Sequence, residues 1–226
     1  YLFGFTINNE EDKEGIYLDF FSGSGTAAQA IHNLNVSDNG RRKYILVQLP
    51  ELIDERSEAK KVGYKLISEI TKDRLRKLSK KIIKENPKLN IDLGFKAFRL
   101  TKSFYKPWKN YDGQSTQELE KQFSLFTTPL VDGWNANELL FEILLLEGYP
   151  LDSETELQKD FKRNKVILVA SDFCEHKLLV CLDKKIIPET VANLKLDDGD
   201  IFICLDSAIT DQDKVRLSDK GLIKTI

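Results

Sequence analysis

The stretch YLDFFSGSGTAAQAIHNLN, residues 17–35, limits the fold more than any other feature of this 226-residue chain. Residues 16–20 form a short apolar run of the kind that makes a buried strand. Gly23 and Gly25 follow, and from Thr26 to Leu34 the residues suit a helix. A strand, a glycine turn and a helix in this order begin a parallel crossover unit, which commits the chain to an α/β fold.

The next segments extend that reading. RRKYILVQLPE carries an apolar strand at 44–49, stopped by Pro50. Between Asp54 and Asn86, Val62, Leu66, Ile70, Leu78 and Ile82 recur at near-helical spacing, which predicts one long or two shorter amphipathic helices. GFKAFRLTKSF alternates Phe95, Ala97 and Leu100 with Lys96 and Arg99, the pattern of a strand with one solvated face. Beyond Trp108 the polar, turn-rich KNYDGQSTQ reads as a linker. It divides the chain into a domain over 1–112 and a C-terminal α/β domain over 113–226. In the second part a helix is expected with Asn135 or Asn137 as its cap and Gly148 as its stop. KVILVAS, KLLVCLD and DIFICLD then read as strands, and PETVANLKL as a short helix with Pro188 near its start. LLVCLD and IFICLD are near-copies 23 residues apart. They are expected to end alike in one sheet.

Charge is unevenly spread. Residues 1–112 hold 21 Lys/Arg against 15 Asp/Glu, net +6; residues 113–226 hold 13 against 21, net -8. Most of the excess positive charge lies between Glu55 and Lys88. That stretch either contacts DNA phosphates or is a solvated helix face. The acidic balance of the second half argues against close contact with DNA there. No apolar run reaches the roughly 20 residues of a membrane helix, and residues 1–5 lack a basic segment or cleavage site, so a cytoplasmic protein is expected. Cys174, Cys181 and Cys204 are odd in number and lie in apolar surroundings, which suits buried thiols in a reducing compartment. His32 and the pair Cys174 and His176 have no companion set at ligand spacing, so no metal site is read from them. Asp183 and Asp206 end matching strands, either as paired carboxylates or in turn and capping roles.

The glycine turn matches the dinucleotide fingerprint at Gly23, Gly25 and Ala28, which by itself is a weak signal. Asp19, four residues before Gly23, distinguishes it. A carboxylate there repels a pyrophosphate and attracts a cation. No Lys follows Gly25, which excludes a P-loop. A ligand with an ammonium, a sulfonium and a carboxylate suits both ends of the loop: Asp19 for the ammonium, the Thr26 hydroxyl and amides near Gly25 for the carboxylate. S-adenosylmethionine has that polarity. A nicotinamide cofactor and a turn with no ligand stay open as alternatives.

LDFFSGSGTAA resembles the D-x-F-x-G-S-G-T cofactor motif of amino-group DNA methyltransferases. With RRKYILVQLPE, GFKAFRL, FICLD and the closing GLIKTI, the chain resembles the C-terminal part of the modification subunit of type III restriction-modification systems, which are DNA adenine-N6 methyltransferases. The resemblance is densest over 17–51 and looser over 103–149. It implies a Rossmann-like S-adenosylmethionine-binding half, incomplete in this chain, followed by an α/β assembly domain. It implies cofactor contacts at Asp19, Phe21, Gly23, Gly25 and Thr26, with Phe20 and Ser22 inside the same motif, and a ribose contact at Gln48 or Glu51. As partners it implies double-stranded DNA, a second copy bound through the C-terminal domain, and the restriction (helicase-nuclease) subunit.

The family's D/N-P-P-Y/F/W tetrapeptide, which holds the target adenine, does not occur among these residues: no two of the six prolines are adjacent. Asn86-Pro87-Lys88-Leu89 and Tyr105-Lys106-Pro107-Trp108 both fail the pattern. In the family's order this motif precedes the cofactor motif, and the chain opens at Tyr1 without Met. A C-terminal piece with no catalytic residues of its own is therefore expected, with exposed apolar sheet surface, and so either marginal stability or a compensating dimer. The alternative is a non-catalytic assembly or DNA-association module.

Overall fold

The computed structural model describes residues 13–107, 113 and 115–226. The fold is mixed α/β, and the chain divides into two compact units, Tyr1–Ala97 and Phe98–Ile226. Of the expected linker at 109–117, residues 109–112 and 114 lie outside the described residues, as does Trp108. Its last residues begin a helix, because the Ser115 side chain accepts from the Glu118 amide and caps it.

The first unit contains β1 (Ile16–Asp19), α1 (Thr26–Asp38) and β2 (Lys43–Leu46), followed by a one-turn helix α2 (Glu58–Lys61) and the long α3 (Ile67–Glu85). β1 and β2 pair in parallel with Asp19 opposite Leu46. The helix expected over 26–34 runs one turn further, to Asp38. There Asn39 (φ 55°) leaves the helical region and the chain reverses into β2. Arg42, 5% exposed, secures that reversal. Its guanidinium donates to both Asp38 carboxylate oxygens, at 2.9 and 2.7 Å. Its backbone amide and carbonyl exchange hydrogen bonds with the buried Asn35 side chain. A buried Arg requires such pairing, and here the ion pair also joins helix end to strand start.

The strand expected over 44–49 is shorter, and the amphipathic stretch forms two helices. Gly63, at φ +106°, interrupts it. The Glu69 carboxylate then accepts from the amides of Lys65 and Leu66 at the start of α3. The buried face of α3 is Thr71, Leu75 and Ile82, one turn removed from the expected Leu78, and Val62 is exposed. The strand expected at 95–100 does not form. Alternation shows only that one face is drier; a strand also needs a neighbour to take its amides and carbonyls. The sheet of this unit has two strands and neither lies beside 95–100. Phe95 instead lies under the Arg76 guanidinium at 5.7 Å.

One face of the β1–β2 ribbon packs on α1 through Tyr44, whose ring meets that of His32 edge-on at 5.3 Å. On the opposite face Ile16, Leu18, Phe20, Ile45, Val47 and Leu49 are all exposed. A parallel sheet is normally covered on both faces, so this is an apolar surface with no cover among the described residues.

The second unit holds α4 (Thr116–Phe126), α5 (Ala136–Leu146), β3 (Glu154–Leu157), β4 (Ile167–Ala170), β5 (Leu178–Cys181), α6 (Pro188–Asn193), β6 (Ile201–Cys204), α7 (Asp211–Ser218) and β7 (Leu222–Thr225). Its five strands lie in chain order. β3, β4 and β5 are antiparallel neighbours, while β5, β6 and β7 run parallel. The expected near-copy strands are these neighbours, with Cys181 opposite Cys204. α5 begins where expected, at Asn135, whose side chain accepts from Asn137 and Glu138. It buries Leu139, Leu140, Ile143 and Leu144 in the core that contains β5 and β6. α7 and β7 have no counterpart among the expected elements.

Asp183 and Asp206 are not paired with each other. Asp183 accepts from the Asn164 side chain and the Lys165 amide, and Asp206 accepts from Lys214 at 2.7 Å. Cys181 and Cys204 are fully buried, and burial raises their thiols to about 11 and about 12. Fewer than about one in a hundred of either is ionised at pH 8 in the folded chain. A thiol reagent at that pH is therefore expected to titrate one cysteine, the half-buried Cys174, in the native protein and three in denaturant. Three fast thiols in the native protein would mean that the sheet core is open.

Candidate functional site

The glycine turn lies between the C-terminal end of β1 and the N-terminus of α1. The Asp19 carbonyl accepts from the Val47 amide at 2.8 Å, and the Ser22 amide donates to the Val47 carbonyl at 3.2 Å, so the turn stays stitched to the end of β2. Gly23 (φ +49°) and Gly25 (φ +79°) both occupy the left-handed region. Gly25 also meets a steric limit: a Cβ there would lie 2.8 Å from Cγ2 of Thr71. Only glycine satisfies both conditions.

Two residues from α3, absent from the sequence expectations, close the turn from the other side. Thr71 donates to the Gly23 carbonyl at 2.5 Å. Arg74, one turn further along the helix, donates to Ser24 Oγ at 2.8 Å, to Thr26 Oγ1 at 3.2 Å and to Gln29 Oε1 at 2.9 Å. The available signal was the i, i+3 relation of Thr71 and Arg74, which puts both on one helix face. In a helix crowded with Lys and Arg, nothing marks that face as pointing at a loop almost fifty residues earlier. A short pairing brings it there: Leu52 bridges Leu66, and Ile53 and Ile67 complete the contact between 51–53 and 65–67.

The expected contact residues fall into three groups. Asp19 is half-buried; its Oδ1 accepts from the Phe21 amide at 3.1 Å, and Oδ2 has no partner among the described residues. Phe20 and Phe21 are 62% and 78% exposed, with ring centroids 5.1 Å apart. Ser22 is buried. Two of the glycine amides are already used internally, Gly23 by Gln48 Oε1 at 2.8 Å and Gly25 by the Ser22 carbonyl at 2.7 Å. The next donors are one step further on, in the first turn of α1, which has no side-chain cap and no acid; of its leading residues Thr26 is exposed, while Ala27 and Ala28 are buried. The exposed Thr26 hydroxyl lies beside them.

Gln48 and Glu51 are brought together. Gln48 uses its oxygen to hold Gly23 and donates through Nε2 to Glu51 Oε2 at 3.3 Å. Glu51 is exposed. The amide thus braces the turn while it steadies the carboxylate, which is the member of the pair with unspent acceptor capacity.

His32 takes no place in the site. It is 2% exposed, its Nε2 lies 3.2 Å from the Tyr44 hydroxyl, and burial lowers its pKa. No three His, Cys, Asp or Glu side chains come together as a metal-binding group among the described residues. No described helix is long and apolar enough to cross a membrane.

No protein-family model matches the chain. The Mod subunit of the type III restriction-modification enzyme StyLTI of Salmonella typhimurium is 33% identical over 166 residues, covering 64% of this chain and 26% of that protein. The EcoP15I Mod subunit of Escherichia coli is 32% identical over 192 residues, covering 72% and 29%. The type II methyltransferase M.KpnI of Klebsiella pneumoniae is 42% identical over 73 residues, covering 32% and 18%. The chain therefore spans under a third of the length of these relatives.

The two constraints on Gly25 are separable. Gly25→Ala is expected to cost roughly 1–2 kcal/mol for the left-handed backbone and more for the overlap with Thr71. Adding Thr71→Ser removes Cγ2 but keeps the hydroxyl, so urea unfolding of the double variant should recover the second part only. Equal losses in both variants would show that the overlap is relieved at no cost.

Proposed function

The chain is a homologue of the Mod subunits of type III restriction-modification enzymes, and on that footing we propose that its first unit is the methyl-donor side of a DNA adenine-N6 methyltransferase, a Rossmann-like half that binds S-adenosylmethionine. The observation that carries the reading is the opposed polarity of the turn. A carboxylate with one unpartnered oxygen, Asp19, ends the strand, and an uncapped helix start with the guanidinium of Arg74 beside it lies across the glycines. A zwitterionic amino-acid moiety matches both ends, whereas a pyrophosphate would be repelled by Asp19.

In this reading Asp19 takes the ammonium. The amide and hydroxyl of Thr26, with Arg74, take the carboxylate. Glu51 accepts from the ribose hydroxyls while Gln48 orients it, which assigns a charge-assisted bond to the acid and a bracing role to the amide. The exposed ring of Phe21 offers a face for the adenine. The bound cofactor supplies an activated methyl group. These residues orient it toward an acceptor nitrogen, and such positioning is the main contribution a transfer of this kind asks of the protein. The D/N-P-P-Y/F/W tetrapeptide that would hold the target adenine does not occur in this sequence. Duplex DNA, a restriction subunit and a second copy meeting the C-terminal unit are the partners proposed with this function.

A non-catalytic assembly module is the second reading, favoured by the exposed apolar face of β1 and β2. Calorimetric titration separates the two. S-adenosylmethionine should bind the 226-residue chain in preference to NAD, and Asp19→Ala should weaken it about tenfold or more, the scale of a lost charge-assisted hydrogen bond. Preference for NAD, or no binding by the folded chain, would sink the methyl-donor reading. Arg74→Ala should weaken S-adenosylmethionine by a similar factor and leave methylthioadenosine, which lacks the amino-acid moiety, unchanged. Equal weakening of both ligands would assign Arg74 to the fold alone.

A further inference from the structure

Residues 113–226, net -8 as a stretch, gather positive charge in one place. An open cleft of about 690 Å³ is lined by Lys159, Lys162, Arg163, Lys165, Lys184 and Lys185. These are six of the 13 Lys/Arg of that half. All six are exposed. The ion pairs of this unit engage Lys177, Lys214, Arg216 and Lys224. None of the six cleft cations pairs with an acid among the described residues. The two loops that carry them, 158–165 and 183–185, hold two acids, Asp160 and Asp183, so their net charge is six minus two, +4.

The cleft has a built frame. Asn164, 6% exposed, sits beneath it and joins the loops. Its Nδ2 donates to Asp183 Oδ2 at 2.9 Å and to the Lys185 carbonyl at 2.8 Å. Its Oδ1 accepts from the Ile187 amide at 3.0 Å and from Thr190 Oγ1 at 2.8 Å. The same Asp183 oxygen accepts from the Lys165 amide at 2.8 Å. One carboxylate is thereby turned inward and spent on the frame, while six cations stay in water at fixed loop positions. Like charges held this close repel one another, and a fold that needed only solubility would disperse them among its many acids.

We propose that this cleft is a contact surface for the phosphate backbone of duplex DNA. Five of the six cations are Lys, point charges on flexible stems, which suit phosphate oxygens at variable positions and read no sequence. The open shape admits a polymer that passes through. The expectation from net charge, that this half stays away from DNA, fails because charge summed along a chain says nothing of where the cations stand in space. The surface lies outside the cofactor unit, so it is independent of the methyl-donor reading.

The test is fluorescence anisotropy of a labelled 20-base-pair duplex with the 226-residue chain between 50 and 200 mM salt. The quadruple variant Lys162→Glu, Arg163→Glu, Lys184→Glu, Lys185→Glu should weaken binding about tenfold or more, and flatten the slope of log affinity against log salt by about 0.9 for each phosphate that the chain no longer neutralises. It should retain S-adenosylmethionine binding. The corresponding alanine variant, with an unchanged thermal midpoint, guards against disruption of the loops. Loss of binding in Lys80→Glu, Lys84→Glu, Lys88→Glu with none in the cleft variants would overturn the proposal in favour of α3. Failure of the unaltered chain to bind DNA would also overturn it. Tighter binding of polyglutamate than of the duplex, at equal charge and salt, would overturn it too, and assign the cleft to an acidic protein.

Discussion

The candidate site depends on one constraint: a glycine turn whose backbone is held from two sides by residues far away in sequence. Gln48 fixes the Gly23 amide from the end of β2, and Thr71 fixes the Gly23 carbonyl from α3. With both polar groups of one peptide segment anchored, the turn cannot relax toward ordinary backbone angles, and two glycines persist at positive φ. The rest of the site follows from that shape. Asp19 is left at the strand end with one oxygen unpartnered among the described residues, and Arg74 meets Thr26 at the start of α1. Geometry of this kind is set before any ligand arrives, which is what a site acting by orientation requires.

The two units solve burial differently. The second covers β5 on both faces and makes inert core residues of Cys181 and Cys204. The first puts only one face of β1 and β2 against a helix. The buried Arg42, paired with Asp38 and Asn35, holds α1 against the ribbon with polar bonds. The resulting balance leaves six large apolar side chains in water, a state that a third layer of protein would relieve.

What was legible in the sequence was whatever local chemistry decides. Gly23 and Gly25 announced a turn, Asn135 or Asn137 a helix start, and the near-copy runs two strands of one sheet, because side-chain pattern and capping are written within a few residues. The missed strand at 95–100 shows the boundary: its alternation was real, but neither sheet of the described residues takes it in. Thr71 and Arg74 were illegible for a related reason. Their partners are almost fifty residues away, and a polar residue on a basic helix looks the same whether it faces solvent or a loop. The basic cleft was hidden by addition, since thirteen cations among twenty-one acids sum to an acidic half whatever their arrangement. The sequence offered Gln48 or Glu51 as the ribose contact without separating them; the structure adds that they bond to each other.

The outermost strand of the second sheet has a consequence for assembly. β3 is exposed along its whole length and carries Glu154 and Glu156. An edge strand of this kind resists continuation of the sheet, because a second copy laid antiparallel against it would set glutamates near glutamates. The opposite edge, β7, reads Leu222 to Thr225 with Lys224 as its one charge, and that lysine is bonded to Glu147, which caps the C-terminal end of α5. The sheet is thus polarised as a building block. One border is closed by like charge, and the other is left as the side from which strand pairing could grow.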